Sequence, residues 1–189
     1  MINHVIPKQG FEIVRDLIGQ VLLLELENQK QISNFEEIFS IFCERTTPVN
    51  EDEQIVLNVK LNNANYSGLT HKDSQGLTTY FVDVYTNGTS NESYVLLQKY
   101  VGLCRYILSH SDNRYLGTTG LIGNSQVNDI NFLDQPLNLD SSSVNFARLS
   151  LSYRILESQE YDENVNLAGN DTVVKLEETE RGYRYTFNN

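Results

Sequence analysis

The sequence predicts an α+β fold: a mostly antiparallel β-sheet with a long β-hairpin, flanked by two main helices, plus an extended C-terminal arm. The first observation is the stretch 126–157, which reads as two strands around a polar tip at residues 140–143. In the second arm of this hairpin every other residue is apolar: Ala147, Leu149, Leu151, Tyr153 and Ile155. A period of two indicates a strand with one buried face. The other observations are two stretches of helical apolar spacing and a change to acidic, weakly apolar sequence after residue 157.

The first helix is predicted from residue 11 to about residue 29. Its apolar residues recur at near-helical spacing, which indicates an amphipathic helix packed on the core. The members of this stripe are Ile13, Leu17, Val21 and Leu24, widened by Val14 and Ile18. Leu22, Leu23 and Leu26 continue the apolar surface nearly around the helix. Two interpretations stay open: burial by the core alone, or burial by the core and by a neighbouring subunit.

Two strands and a loop are predicted to follow this helix. Residues 35–44 are ambiguous. Ser33 and Glu36 have the spacing of a capping box, which favours a helix, but the run 38–43 is β-branched and aromatic, which favours a strand. We predict a strand there. Residues 54–61 form a second predicted strand, and residues 62–76 a polar loop. The apolar face of the second strand consists of Ile55, Leu57, Val59 and Leu61.

Residues 77–86 have the strongest strand composition in the chain. Asn87 and Gly88 then form a turn pair that readily takes positive φ. Ser90 or Asn91 caps a helix that runs to about residue 109. The predicted buried stripe of that helix is Val95, Leu96, Tyr100, Leu103 and Ile107. Residues 115–125 carry three glycines and are predicted to be a flexible connector to the long hairpin.

Residues 158–189 are predicted to form a C-terminal arm outside the α+β domain of residues 1–157. After a polar linker, residues 172–187 read as a small hairpin. A hairpin of this size cannot bury a core by itself, so it must add to its own sheet or to a neighbour's. Tyr183, Tyr185 and Phe187 alternate and give one aromatic face, of the kind enriched at interface cores. We predict that these three residues form an interface between subunits.

The net charge, the positions of the cysteines and the short apolar stretches exclude several classes of protein. The net charge is −11. A protein that binds nucleic acid by neutralising its phosphates needs clustered Lys and Arg, so this mode of binding is excluded. Cys43 and Cys104 lie far apart in apolar sequence, which favours two buried free thiols over a disulfide or a metal site. The start of the chain lacks a signal-peptide pattern, and the longest apolar stretch, residues 21–24, is far too short to span a bilayer. We therefore predict a soluble protein, made in a cytoplasm, with no membrane partner.

The sequence offers little catalytic chemistry. Its three histidines are His4, His71 and His110. None has the spacing to another histidine or cysteine that a metal site requires. Gly117, Gly120 and Gly123 form a G-x-x-G-x-x-G pattern, but a strand follows it instead of a helix N-terminus, which favours a loop over a phosphate site. We predict no catalytic residue, no metal and no cofactor.

Four sequence pieces between residues 11 and 156 carry a resemblance to a known family. They are the opening helix with the strand at 38–42 and the turn at Pro48, the strand at 55–61 leading into a polar loop, the strand at 79–86 before a helix that contains Tyr94-Val-Leu-Leu, and the closing strand at 147–153. In this order the pieces resemble the tail terminator and neck (head–tail connector) proteins of tailed bacteriophages.

The resemblance implies a structural role without catalytic residues. It implies a homo-oligomeric ring that caps the tail or joins it to the head, with other neck and tail proteins as partners. DNA would pass through an acidic lumen without specific binding, and the protein would reside in the virion after assembly in the host cytoplasm.

Two other classes of function remain open from the sequence. One is an acidic stand-alone module that docks a protein partner through an exposed sheet edge. The other is a small enzyme whose substrate cleft is assembled between subunits, which the missing catalytic chemistry disfavours.

Overall fold

The computed structural model describes residues 5–46, 49–50, 52–68, 73–88, 90–133, 137–138, 143–158, 172–175 and 182–185. The chain divides into two compact units, residues 1–159 and residues 160–189. The first unit has the predicted α+β fold, with two helices and a mostly antiparallel sheet.

In the described part of the first unit, two α-helices pack on one face of the sheet. Helix α1 spans Gly10–Ser33 and starts where the Glu12 carboxylate accepts the Gln9 backbone N–H at 3.0 Å. It ends at Asn34, whose left-handed φ of 50° closes the last turn. Helix α2 spans Asn91–Ser109, and its N-cap is Ser90, whose hydroxyl accepts the N–H of Ser93.

The buried stripes of both helices differ from the predicted ones. The fully buried apolar residues of α1 are Val14, Ile18, Leu22 and Leu26, and those of α2 include Leu97, Tyr100, Val101, Cys104 and Ile107. Leu24 on α1 is 71% exposed and Val95 on α2 is 62% exposed, so their predicted burial is wrong. Both helices carry apolar residues around most of their circumference. Spacing alone therefore did not fix which side faces the sheet.

The described residues of the first unit form a sheet of six strands. The strands are β1 (Phe39–Cys43), β2 (Ile55–Gly68), β3 (Asp73–Asn87), β4 (Ile122–Phe132), β5 (Leu137–Asn138) and β6 (Ser143–Ser158). The strand order is β1-β2-β3-β6-β4, and β5 also pairs with β6. Strand β1 runs parallel to β2, and the other pairs are antiparallel. The strand predicted at residues 35–44 is therefore confirmed, although it begins four residues later.

The predicted long hairpin is confirmed as the pair β4 and β6, in which Val127 lies opposite Leu151. On its other side β6 pairs with β3, which places Tyr80 opposite Leu151. The hairpin and the strongest predicted strand therefore share one sheet, and α1 and α2 pack on it. The five alternating apolar residues of β6 are all buried in this helix-covered face.

The prediction of a polar loop at residues 62–76 is wrong, because β2 and β3 continue through most of it. Tyr66 lies opposite Gly76, and Gly68 lies opposite Ser74. The Tyr66 ring covers the glycine so closely that a Cβ on Gly76 would lie 2.8 Å from Tyr66 Cε1. Regular pairing with β3 overrides the poor strand propensity of the asparagines and glycines in this stretch.

The second unit contains a separate two-stranded sheet. Strands β7 (Thr172–Lys175) and β8 (Gly182–Tyr185) are antiparallel, with Val174 opposite Tyr183 and Thr172 opposite Tyr185. The small hairpin predicted from the sequence is therefore present.

Candidate interaction surface

The sheet of the first unit has one face on which the helices do not pack, which we call the open face. Strand register places Lys60 opposite Phe81, and Asp83 opposite Arg148, on this side. One end of the open face carries a small apolar cluster, made of Val49, Val56, Tyr85 and Val144 with Phe42 and Phe146 against it. Val49, from the connection between β1 and β2, is buried in this cluster.

Asp83 is a fully buried carboxylate at the centre of the open face. Arg148 donates to it through Nε at 2.6 Å and through Nη2 at 2.9 Å, and Lys60 Nζ lies 3.2 Å from its Oδ2. The Tyr85 hydroxyl donates to the same oxygen at 3.4 Å. We call Lys60, Asp83 and Arg148 the ion cluster. With two cations and one carboxylate it carries a net charge of +1.

Aromatic rings hold the Arg148 guanidinium in place. Its Cζ lies 4.3 Å from the centre of the Phe81 ring and 5.5 Å from that of Phe146. The Phe146 ring in turn packs on Tyr85 at a centroid distance of 5.0 Å. These contacts are cation–π interactions, and they restrict the side-chain freedom of the arginine.

Tyr85 is a hydrogen-bond donor in this arrangement and not a base. Burial raises the pKa of its hydroxyl well above the ordinary value of 10, and the negative charge of Asp83 raises it further. The hydroxyl therefore stays protonated at neutral pH.

A second ion pair joins Arg45 to Glu53 across the connection between β1 and β2. Arg45 donates to both oxygens of Glu53, at 2.6 and 2.9 Å, and lies 4.3 Å from the centre of the Phe42 ring. The buried Asn58 side chain bonds the backbone N–H and C=O of Arg45 at 3.0 and 2.6 Å. The hydrogen bonds from Arg45 hold the pKa of Glu53 below its ordinary value of 4.5.

The residues predicted to form an interface lie in the second unit. Tyr183 and Tyr185 are two residues apart in β8. Phe187 lies outside the described residues. Their role as an interface stays a prediction.

The other residues singled out from the sequence lie apart from the ion cluster. His110 follows α2, and its Nδ1 accepts the N–H of Asp112 at 3.4 Å, while His4 and His71 lie outside the described residues. Gly117 and Gly120 have positive φ angles in the turns before β4, and Gly123 already belongs to that strand. In the described part of the chain, no group of three His, Cys, Asp or Glu residues is placed to hold a metal ion.

The two cysteines differ from each other. Both are free thiols, and Cys104 is buried as predicted, but Cys43 is exposed. Cys43 is the last residue of β1, where the chain leaves the sheet, which explains why the prediction of burial is wrong for it.

A groove of about 450 Å³ lies between the end of α2 and the start of β4. Its polar lining includes His110, Arg114, Ser125 and Gln126. Among the described residues that line this groove there is no carboxylate, and the nearest one to His110 is that of Asp112 beside the groove, whose Oδ2 lies 3.7 Å from His110 Nδ1.

The ion cluster was missed by the sequence interpretation, although two signals pointed to it. Asp83 is the one charge within the apolar run 80–85, and a charge inside such a strand needs a partner when it is buried. Arg148 belongs to the polar side of the alternating strand. Sequence alone could not pair the two, because they are 65 residues apart.

No protein-family model and no curated protein matches the chain. Among the described helices, none is both long enough and apolar enough to cross a membrane.

Proposed function

We propose that the protein is a structural subunit of a ring in the neck or tail of a tailed bacteriophage, either a tail terminator or a head–tail connector. DNA passes through this ring without specific binding, and the partners are further copies of the chain and other neck or tail proteins. The subunit is assembled in the host cytoplasm, ends in the virion, and is not an enzyme.

The observation that carries the proposal is the small two-stranded sheet of the second unit. Its two strands have four residues each and pair with one another. A lone two-stranded hairpin is marginally stable at best in water, so it gains stability by packing on another surface. Subunits that exchange such arms are well suited to forming rings, since each copy both offers an arm and receives one.

The outer side of α1 supports the same proposal. Leu23, Leu24 and Ile32 are large apolar side chains that stay exposed on this helix. Exposed apolar residues that lie together favour contact with another protein surface, and Leu23 and Leu24 are neighbours in the chain. A neighbouring subunit at α1 was one of two interpretations of the sequence, and it remains part of the proposal.

Solution mass and electron microscopy of the purified protein test the proposal. We expect a mass that is a multiple of the 21.6 kDa subunit, and closed rings in negatively stained images. A monomeric mass at all concentrations up to the solubility limit, with no rings, would overturn it.

The second candidate is an acidic stand-alone module that docks a partner along a sheet edge, and one observation favours it. Strand β4 has 11 residues and is the last of the described strands in the sheet order, so among these strands it presents an edge for strand addition. Two register shifts, at Gly123 and Asn128, interrupt this edge, and such bulges disfavour regular pairing. A monomer that binds one partner through β4 would favour this candidate over the ring.

A further inference from the structure

We propose that the ion cluster on the open face binds the acidic C-terminal segment, residues 158–189, of a neighbouring copy of this chain. The inference rests on the proposed ring, in which copies lie side by side. It adds the surface that receives the segment and the groups that recognise it.

The positively charged groups of the ion cluster lie on its exposed side. Asp83 is fully buried, whereas the side chains of Lys60 and Arg148 are 29% and 36% exposed. The carboxylate thus lies beneath the two cations, which are the charged groups of the cluster that solvent reaches. In a chain with a net charge of −11, this surface is electrostatically unlike the molecule as a whole.

The second step is the supply of hydrogen-bond donors. A guanidinium has five N–H groups and an ammonium has three. Asp83 accepts two hydrogen bonds from Arg148 and forms an ion pair with Lys60 at 3.2 Å. The remaining donors suit a further carboxylate. Because Phe81 and Phe146 already hold the guanidinium in position, its ordering adds little to the entropic cost of binding.

The third step is the chemistry of the segment. Residues 158–189 contain seven acidic residues and three basic ones, which gives a net charge of −4. The acidic residues are Glu160, Asp162, Glu163, Asp171, Glu177, Glu178 and Glu180. The segment also carries three alternating aromatic residues at 183, 185 and 187, and the proposed receiving surface contains the rings of Phe81 and Phe146. Opposite charge and aromatic content together match the segment to the open face.

Zero-length crosslinking of mixed, isotopically labelled copies tests this inference. Full-length ¹⁵N-labelled and unlabelled protein are co-assembled and treated with a water-soluble carbodiimide. The reagent activates a carboxylate and joins it to a lysine amine as an amide, with net loss of one water. We expect Lys60 to be joined to one of the seven acidic residues in peptides of mixed isotope content.

Lys99 is the matched control for Lys60. Its side chain is 39% exposed, and it lies on α2, 2.6 Å from Glu37. We expect it to be joined to Glu37 within one chain and not to the C-terminal segment. Lys60→Gln should weaken the association of subunits by roughly tenfold, measured by analytical ultracentrifugation, since it removes one charge at the contact. Lys99→Gln should leave the association unchanged.

The outcomes separate this inference from the proposed function. Rings without a link between Lys60 and the segment overturn the inference and leave the ring intact. Links found only within chains of one isotope show that the segment binds its own copy, which also overturns it. A chain that stays monomeric overturns the proposed function and the inference together.

Discussion

At the scale of single residues, Asp83 is the least expected feature of the molecule, a fully buried carboxylate on a sheet face without helices. Burying a carboxylate is costly unless ionic and hydrogen-bonding partners compensate for the lost water. Lys60, Tyr85 and Arg148 provide those partners from three strands. The carboxylate therefore ties β2, β3 and β6 together at one point.

Replacing Asp83 by Asn should lower the free energy of unfolding by about 3 kcal/mol, because two cations would face each other without a counter-charge. Urea denaturation at neutral pH measures the change. Asp129→Asn is the control, since Asp129 is exposed on β4, and its effect should stay within about 0.5 kcal/mol. Equal stabilities of the two variants would count against a stabilising ion cluster.

Glu53 makes the stability of the protein depend on acid pH. Its pKa in the folded protein lies below 4.5, so its pairing with Arg45 stabilises the fold above that pH and is lost as pH falls through the lower, folded value. Both side chains are largely buried, and Glu53→Gln should cost roughly 1–2 kcal/mol at neutral pH. The difference between parent and variant should shrink below pH 4.5 in urea titrations. A difference that is constant with pH would contradict this assignment.

At the scale of elements, β6 organises the first unit, since it pairs with β3 on one side and with β4 and β5 on the other. Its alternating residues also separate the two faces of the sheet, with the helix-covered core on one side and Arg148 on the other. A charge placed on the two faces should therefore have different effects.

Leu151→Asp should cost about 4 kcal/mol or more, because Leu151 is 1% exposed and the new carboxylate would have no partner in the core. The matched control is Leu156→Asp on the same strand, where the parent side chain is 39% exposed. That variant should lose no more than about 1 kcal/mol. Thermal unfolding of both proteins measures the contrast, and similar melting temperatures would refute the assignment of faces.

The sequence predicted the elements whose pattern is local and missed those that depend on distant pairing. The alternation in β6 and the cap at Ser90 are local, and both are confirmed. The strand extension around Tyr66 depends on pairing with Gly76, and the ion cluster depends on three strands meeting. Neither feature can be predicted from the spacing of residues within one segment. The phase of α1 was missed for a third reason, since Leu24 and Leu26 are equally apolar and only the sheet distinguishes them.

At the scale of the whole molecule, the core of the first unit is built from residues of α1, α2 and the six-stranded sheet. The second unit has its own pair of strands. Different experiments therefore test the roles of the two units.

Deleting residues 158–189 should leave a folded protein with a circular dichroism spectrum close to the parent's, because the core residues of the first unit are all retained. The truncated chain should assemble into rings poorly or fail to join its axial partner. Sedimentation velocity and electron microscopy report assembly. If the truncated chain is unfolded, the arm belongs to the folding core and the prediction is wrong.

The protein should not bind duplex DNA measurably at physiological salt, although the proposed ring surrounds DNA. The net charge of −11 repels phosphates, and the ion cluster offers a net charge of only +1. A gel-shift titration with random-sequence duplex tests this. Sub-micromolar binding would contradict the idea of a channel through which DNA passes freely.

The two bulges of β4 affect the tendency of the free chain to aggregate. A long, regular edge strand is a template on which further chains stack into cross-β fibrils. The extra residues Gly123 and Asn128 break the hydrogen-bond spacing of β4 twice within 11 residues. Asn128 also turns its amide back to Ser152, at 2.6 Å, within its own sheet. If the chain is the ring subunit that we propose, these bulges are expected to protect its unassembled copies against amyloid-like growth.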